Sequence, residues 1–293
     1  MTIRNLEIFK KVAELGNMSA AAKKLYITQP SVSLAISEIE KEYDVKLFDR
    51  VGNHLRLTPT GQQLLIYASG IIQQYKEMEL FLKDESHYSG IRIGATATVG
   101  HYLIAPLIQQ LKAEMPGIQC EVTVASTGII EERLLRSELD IGFVEGDIAS
   151  PSLIVDPILI DELTVICSNK HPFYSRKSIS LQELTGEAFI LREKGSGTRA
   201  KVESVLRENH ISYQPLWNCY SFEAIKEAVI HNLGITIMSP RVVRRELTSG
   251  ELWACVIEDV NLKRTFDLVY RQNKYFSPAL ERFIKICEEK KNV

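Results

Sequence analysis

Along residues 29–43 apolar side chains recur at Val32, Ile36, Ile39 and Tyr43. Spacings of four, three and four place them on one stripe, which predicts a helix with one buried face. Thr28 is suited to cap its N-terminus, and Pro30 fits the first turn, where a missing N–H costs nothing. The opposite face carries Gln29, Pro30, Ser33, Leu34, Ser37 and Lys41. These side chains are short or slender and nearly uncharged, whereas a solvated helix face is usually rich in Glu and Lys. The face is trimmed for close approach by a large partner. Upstream, Leu6, Phe9 and Val12/Ala13 predict a helix ended by Gly16-Asn17, and Ser19 is expected to cap a second helix over AAAKKL. A turn at Tyr26-Ile27 joins it to the third. Two small helices linked by so short a turn form a helix-turn-helix, whose second helix enters the major groove of DNA.

The pattern then changes period. In VKLFDRVGNHLRLTPTG, the Gly52-Asn53 pair between alternating residues predicts a β-hairpin with Leu55 and Leu57 inward and His54 and Arg56 outward, a wing placed to touch phosphates. Thr58-Pro59 opens a long helix in which Leu64, Ala68, Ile71, Tyr75, Met78 and Leu82 form a seam. Roughly 28 residues at ~1.5 Å each give a rod about 40 Å long, which suits dimerisation. From about Ser89 onward, short apolar runs (IRIGA, CEVTV, DIGFV, LTVICS, AFILR, WNCYS, ITIM, FDLVY) alternate with helical stretches. That alternation predicts parallel sheets with helices on both faces, and roughly 205 residues suggest two subdomains.

Composition adds bounds. The 293 residues, 45% hydrophobic and 25% charged, describe an ordinary globular chain, and the net charge of −2 argues against a uniformly basic coat. Residues 1–60 hold nine Lys/Arg and seven Asp/Glu, a local +2 that leaves −4 for the rest and does not prove nucleic-acid binding by itself. The charged N-terminus lacks the apolar core of a secretory signal and no stretch approaches a membrane span, so a cytoplasmic location without membrane contact is expected. Cys120, Cys167, Cys219, Cys255 and Cys287 are widely spaced within apolar segments, and reduced thiols without a metal are expected. An enzyme or a solute-capturing protein are the competing classes. Against catalysis, there is no G-x-G-x-x-G, Walker A, G-x-S-x-G or H-E-x-x-H motif, and no catalytic or metal set is assigned.

MSAAAKKLYITQPSVSLAISEIEKEYDVKLFDR followed by LTPTG resembles the LysR family of bacterial transcription regulators. The resemblance implies a winged helix-turn-helix (1–58), a linker helix (59–88) and a two-lobed, periplasmic-binding-protein-like α/β effector domain (89–293). Lobe 1 is expected over 89–161 plus 268–293 and lobe 2 over 162–267, with an effector in the cleft. Promoter DNA, a second copy as dimer or dimer of dimers, and RNA polymerase are the implied partners, and activation the implied mode. Gln29, Pro30 and Ser33 fall where the family contacts DNA, and Arg50 and the wing where it grips backbone. The expected DNA-facing set is Ser19, Thr28, Gln29, Pro30, Ser31, Ser33, Leu34, Ser37, Arg50, His54 and Arg56. Leu34 departs from the family, where Arg or Gln is common; it suits a thymine methyl rather than guanine.

In open α/β sheets ligands collect beyond the C-terminal strand ends. The loops there hold Thr96, Thr98, Val99 and Gly100; Ser126 and Thr127; Glu145; and Gly195, Ser196, Gly197, Thr198 and Arg199. Hydroxyls, glycines and helix N-termini suit an anion, although the same residues also serve as plain caps and turns. LREKGSGTRA resembles the LysR subgroup of sulfur assimilation and carbon fixation, which implies a sulfur oxyanion, organic acid or sugar phosphate. In this reading Thr198 caps a helix, Ser196 and the glycines open backbone amides to the ligand, and Arg199 either completes a clamp or lies on the helix surface. Glu145 argues against a heavily charged anion nearby unless its side chain turns away. His101, near a helix start, could meet an anion when protonated, though a capping or surface place is the simpler expectation.

Overall fold

The computed structural model describes residues 1–51, 54–82, 90–272 and 274–292, which divide into two compact units. The N-terminal unit contains α1 (Ile3–Leu15), α2 (Met18–Leu25), α3 (Gln29–Glu42), β1 (Phe48–Val51), β2 (His54–Leu57) and α4 (Pro59–Leu82). Its core gathers Phe9, Val12, Ala22, Val32, Ile36 and Ile39 with Leu65, Ala68 and Ile72 of α4. Thr58 anchors the start of α4, donating to the Lys46 carbonyl at 2.6 Å and accepting from the Gly61 amide at 3.0 Å.

Gly61 shows how close that junction is, since a Cβ there would lie 2.2 Å from the Leu47 carbonyl oxygen. Alanine normally improves a helix by about 1 kcal/mol over glycine, but overpacking typically costs about 1–3 kcal/mol. Gly61→Ala is therefore expected to lower the melting temperature despite its better helix propensity. Thermal denaturation followed by circular dichroism checks this; an unchanged or higher midpoint would show that Leu47 yields easily.

The seam expected on α4 divides. Leu64 and Ala68 pack against the unit's own core, while Ile71, Tyr75, Met78 and Leu82 are 42%, 38%, 48% and 71% exposed. The helix runs 24 residues to Leu82, and the remainder of the expected rod lies outside the described residues.

The C-terminal unit continues with β3 (Gly90–Ala95), α5 (Ala97–Tyr102), α6 (Ile104–Glu114), β4 (Gln119–Val124), α7 (Thr127–Leu135), β5 (Ile141–Val144), β6 (Leu153–Glu162), β7 (Thr164–Ser168), β8 (Ser178–Ile179) and β9 (Ala188–Arg192). Then follow α8 (Gly197–Glu208), β10 (Gln214–Cys219), α9 (Phe222–Ile230), β11 (Thr236–Met238), α10 (Arg244–Ser249), β12 (Leu252–Ile257), β13 (Lys263–Arg271) and α11 (Pro278–Glu288). One lobe is built on the five-stranded sheet β4-β3-β5-β13-β6, covered by α6 and α11 through Leu107, Leu111, Phe283 and Ile286. The other combines the four-stranded sheet β11-β7-β12-β8 with the pair β10-β9, linked by a bridge between Phe189 and Ile235. Two clusters fill it, one around Val165, Phe189, Leu191 and Val202, the other around Ile190, Ile225, Val229 and Met238.

The sheets are mixed rather than wholly parallel. β3 runs parallel to β4 and β5, but β13 is antiparallel to β5 and β6, and β7 to β11 and β12. No helix intervenes between β5 and β6, β6 and β7, β7 and β8, or β12 and β13, and of these the β6–β7 and β12–β13 connections join the lobes. The return crossing expected near residue 267 falls inside β13, whose pairing with β6 begins at Lys263 opposite Glu162. Cys167, Cys255 and Cys287 are buried, Cys120 and Cys219 half-buried, and all five are free thiols. Among the described residues no cluster could hold a metal, and no helix is long and apolar enough to cross a membrane.

Candidate nucleic-acid interface and ligand cleft

The helix-turn-helix is set by two left-handed residues and two side-chain caps. Gly16, at φ +61°, ends α1, and Tyr26, at φ +55°, ends α2. Asn17, not Ser19, caps α2: its side chain accepts from the Ala20 amide at 2.9 Å, because the helix begins two residues earlier than expected, at Met18, and Ser19 lies exposed in its first turn. Thr28 caps α3 as expected, accepting from the Ser31 amide at 3.3 Å. Val32, Ala35, Ile36 and Ile39 are buried beneath α3. Tyr43 is not: the helix ends at Glu42, and the ring is 52% exposed. Gln29, Pro30, Ser31, Leu34 and Ser37 stand on the open face, with Ser33 half-buried among them. In the hairpin, Asp49 pairs with Arg56 and Val51 with His54, leaving Arg50, His54 and Arg56 exposed while Leu55 and Leu57 pack on the core. The Gly52-Asn53 turn lies outside the described residues.

The two lobes meet around a buried ionic network. Glu145, just past the C-terminal end of β5, is 4% exposed and turned inward. Its carboxylate accepts from the Thr98 hydroxyl at 2.7 Å and from the Thr96 hydroxyl. Its backbone carbonyl accepts from the Thr127 hydroxyl at 2.7 Å. Arg264, on the crossing strand β13, donates from Nε to Asp161 at 2.9 Å and from Nη1 to the Thr198 hydroxyl at 2.9 Å. Its Nη1 lies 3.7 Å from Glu145. Ser239 donates to the other Asp161 oxygen at 2.7 Å, and the half-exposed Arg241 approaches that oxygen at 3.7 Å. One guanidinium thus holds a threonine of α8 in one lobe and, in its own, a carboxylate of β6 and, more loosely, the Thr98–Glu145 pair.

This geometry alters several expected roles. Ser196, rather than Thr198, caps α8, accepting from the Arg199 amide, and Thr198 instead serves Arg264. Arg199 does not lie on the surface. It is 7% exposed and ties α8 to its neighbours by donating to the Arg192 carbonyl at 2.9 Å, to Glu203 at 2.8 Å and to Asn218. Gly197 abuts the Glu145 carbonyl oxygen, which a Cβ would approach to 3.2 Å, whereas Gly195, at φ +91°, turns in open space. Val99 is wholly within the core; Gly100 faces Val124, where a Cβ would come to 2.9 Å. Ser126 is exposed before α7, and the His101 ring rests edge-on against Phe222.

A family profile for the "bacterial regulatory helix-turn-helix protein, lysR family" matches residues 3–62, and one for the "LysR substrate binding domain" matches residues 88–292. The chain belongs to the LysR family of transcriptional regulators. It is a DNA-binding regulator with an effector-binding domain and, as its relatives are regulators, not an enzyme. The HTH-type transcriptional regulator CysL of Bacillus subtilis is 34% identical over 278 residues, 94% of this chain and 91% of that one. The HTH-type transcriptional activator CmpR of Synechocystis is 30% identical over 287 residues, 97% and 93% of the two chains. Among solved structures, a full-length OxyR variant from Pseudomonas aeruginosa shares the fold with a TM-score of 0.74 at 21% identity, covering 100% of this chain and 95% of that one. The regulatory domain of CcmR from Synechocystis, in complex with 2-PG, aligns with a TM-score of 0.64 at 27% identity over 68% of this chain and 96% of that one.

Within this LysR-type effector domain, the residues that sequence reasoning passes over are Asp161, Ser239, Arg241 and Arg264. Asp161 and Arg264 are directly opposed in the register of β6 and β13. Their separation of 103 positions leaves no local motif to find them by.

Proposed function

We propose that this LysR-type regulator binds a two-fold promoter site as a dimer or dimer of dimers, and that a small oxyanion enters the cleft by displacing the Glu145 carboxylate. The observation that carries the second part is that the Thr96 and Thr98 hydroxyls, the donors best suited to an anion, are already occupied by Glu145. The side chain acts as an internal stand-in. Around it Glu145 and Asp161 balance Arg264 and Arg241, so an added anion leaves one charge uncompensated unless Glu145 swings out. Swinging out frees both threonines and takes one carboxylate away from Arg264, which reaches Thr198 of the other lobe, and the effector shifts the lobe arrangement by its difference in affinity for the two states. The CcmR domain that holds 2-PG supports an organic phosphate or acid, and the resemblance of LREKGSGTRA to the sulfur-assimilation subgroup a sulfur oxyanion, as the chemical class.

On DNA, the open face of α3 enters the major groove and Arg50, His54 and Arg56 flank it on phosphate, with Gln29 suited to adenine and Leu34 to a thymine methyl. The exposed row Ile71, Tyr75, Met78 and Leu82 pairs two copies, and the cytoplasm is the compartment where such a protein meets DNA and RNA polymerase. Replacing Ile71 and Met78 together by Lys is expected to convert the dimer to monomer at micromolar concentration in sedimentation velocity; a dimer that persists places the interface elsewhere.

Isothermal titration of the full-length protein with sulfite, sulfate, phosphate and malonate tests the cleft. At least one is expected to bind, and Thr198→Val, which takes the hydroxyl from Arg264, is expected to change that affinity by about tenfold, a 1.4 kcal/mol effect. Binding unaffected by this substitution would place the ligand outside the cleft.

A further inference from the structure

Two hydrogen-bond donors at the meeting of the lobes have no acceptor among the described residues. Tyr102, the last residue of α5, has a buried hydroxyl without a partner. Its ring lies under the Arg241 guanidinium, 5.8 Å from centroid to carbon, and 6.0 Å from Phe266 of the crossing strand. Burial pushes its phenol well above the usual range, and the negative charges of Asp161 and Glu145 add to this against the opposing pull of Arg241 and Arg264. The group is therefore held as a protonated donor. Arg192, at the C-terminal end of β9 in the other lobe, has a side chain only 4% exposed. Glu193 takes its Nε and Nη2 protons at 2.8 Å each, and its guanidinium stacks 4.3 Å over Phe222, the residue that meets His101 of α5. Its Nη1 has no partner.

A buried donor left unpaired is unfavourable, and a donor-only group can be satisfied only by an oxygen or nitrogen lone pair. Among the described residues none is supplied: Glu145 and Asp161 are engaged by Thr98 and Arg264, and Glu193 already takes two other protons of Arg192. The unspent groups on the two walls each have a proton to give: the Arg192 guanidinium can only donate, while the Tyr102 hydroxyl can donate and also accept.

We propose that Tyr102 and Arg192 are two further contacts to the bound effector, one from each lobe, and that the ligand is an oxygen-rich anion that accepts from both. The inference rests on the cleft reading above and deepens it. It adds residues that are neither hydroxyl-loop nor hinge groups, and at Arg192 it disfavours amines, which would point a cationic or N–H group at a donor-only guanidinium. It also gives the closure of the lobes a local cause, because the anion completes hydrogen bonds on both sides at once.

The test uses full-length wild type, Tyr102→Phe and Arg192→Gln, titrated separately with sulfite, sulfate, phosphate and malonate, with melting temperatures measured in the absence of anion. Tyr102→Phe is expected to weaken the anion that wild type binds by about tenfold or more, while its own melting temperature stays level or rises because an unpaired hydroxyl has been removed. A purely structural tyrosine gives the opposite pair of results, with stability lowered and affinity kept. Arg192→Gln is expected to show a similar loss of affinity, and should it fail to fold through loss of the Glu193 pair, Tyr102→Phe decides the question alone. Wild-type affinity in Tyr102→Phe overturns the inference and leaves cleft binding standing. If wild type binds none of the four anions in the cleft, the cleft reading falls and takes this inference with it.

Discussion

Ser33→Glu is expected to lower affinity for a selected operator duplex by at least 100-fold while leaving the melting of the effector domain unchanged. Ser33 lies half-buried on α3 between the exposed Pro30 and Leu34, so a longer side chain must project along the face that meets DNA. Its negative charge would enter a groove bordered by phosphates, and electrostatic attraction to phosphate supplies much of the affinity of any such protein. Nothing beneath depends on the hydroxyl, since the core under α3 is formed by Val32, Ala35, Ile36 and Ile39. Fluorescence anisotropy on a duplex enriched from a random library by the full-length protein provides the measurement. Near wild-type binding would remove α3 from the interface.

Glu145→Gln is the second large effect expected, this time a gain. The amide keeps the size of the side chain and one acceptor for Thr96 or Thr98, but removes the charge that an entering anion must displace. Two like charges about 4 Å apart interact by roughly 4 kcal/mol at an effective dielectric of 20, and relaxation reduces that, so tightening of one to two decades is expected. Titration calorimetry with whichever oxyanion binds wild type reads it directly. Weaker binding by the variant would mean that the carboxylate contacts the ligand instead of standing in for it.

What could be read from sequence was local. The buried and open faces of α3, the Thr28 cap and the alternation of the wing follow from spacing alone, because each depends on residues within one or two turns. Element ends were less legible: two positions separate Ser19 from the cap at Asn17, and the end of α3 at Glu42 takes Tyr43 off the buried stripe. β6 escapes the pattern because Pro157 interrupts it, which an edge strand with a register shift opposite Phe266 and Asp267 tolerates. The loops facing the cleft were recognisable from their hydroxyls and glycines, but the partners were not. Arg199 is drawn inward by Asn218 and the Arg192 carbonyl, groups of two other strands. Glu145, expected to be an obstacle to an anion, occupies the donors an anion would use. Such pairings are products of the tertiary fold, and no spacing rule contains them.

The coupling of cleft to DNA is most directly tested by fluorescence energy transfer between the ends of a selected operator duplex bound to full-length protein, titrated with the oxyanion identified by calorimetry. The expected result is a saturable change in end-to-end distance whose midpoint matches the calorimetric affinity and moves to lower concentration in Glu145→Gln. A distance that stays constant through saturation, in wild type and variant alike, would contradict it.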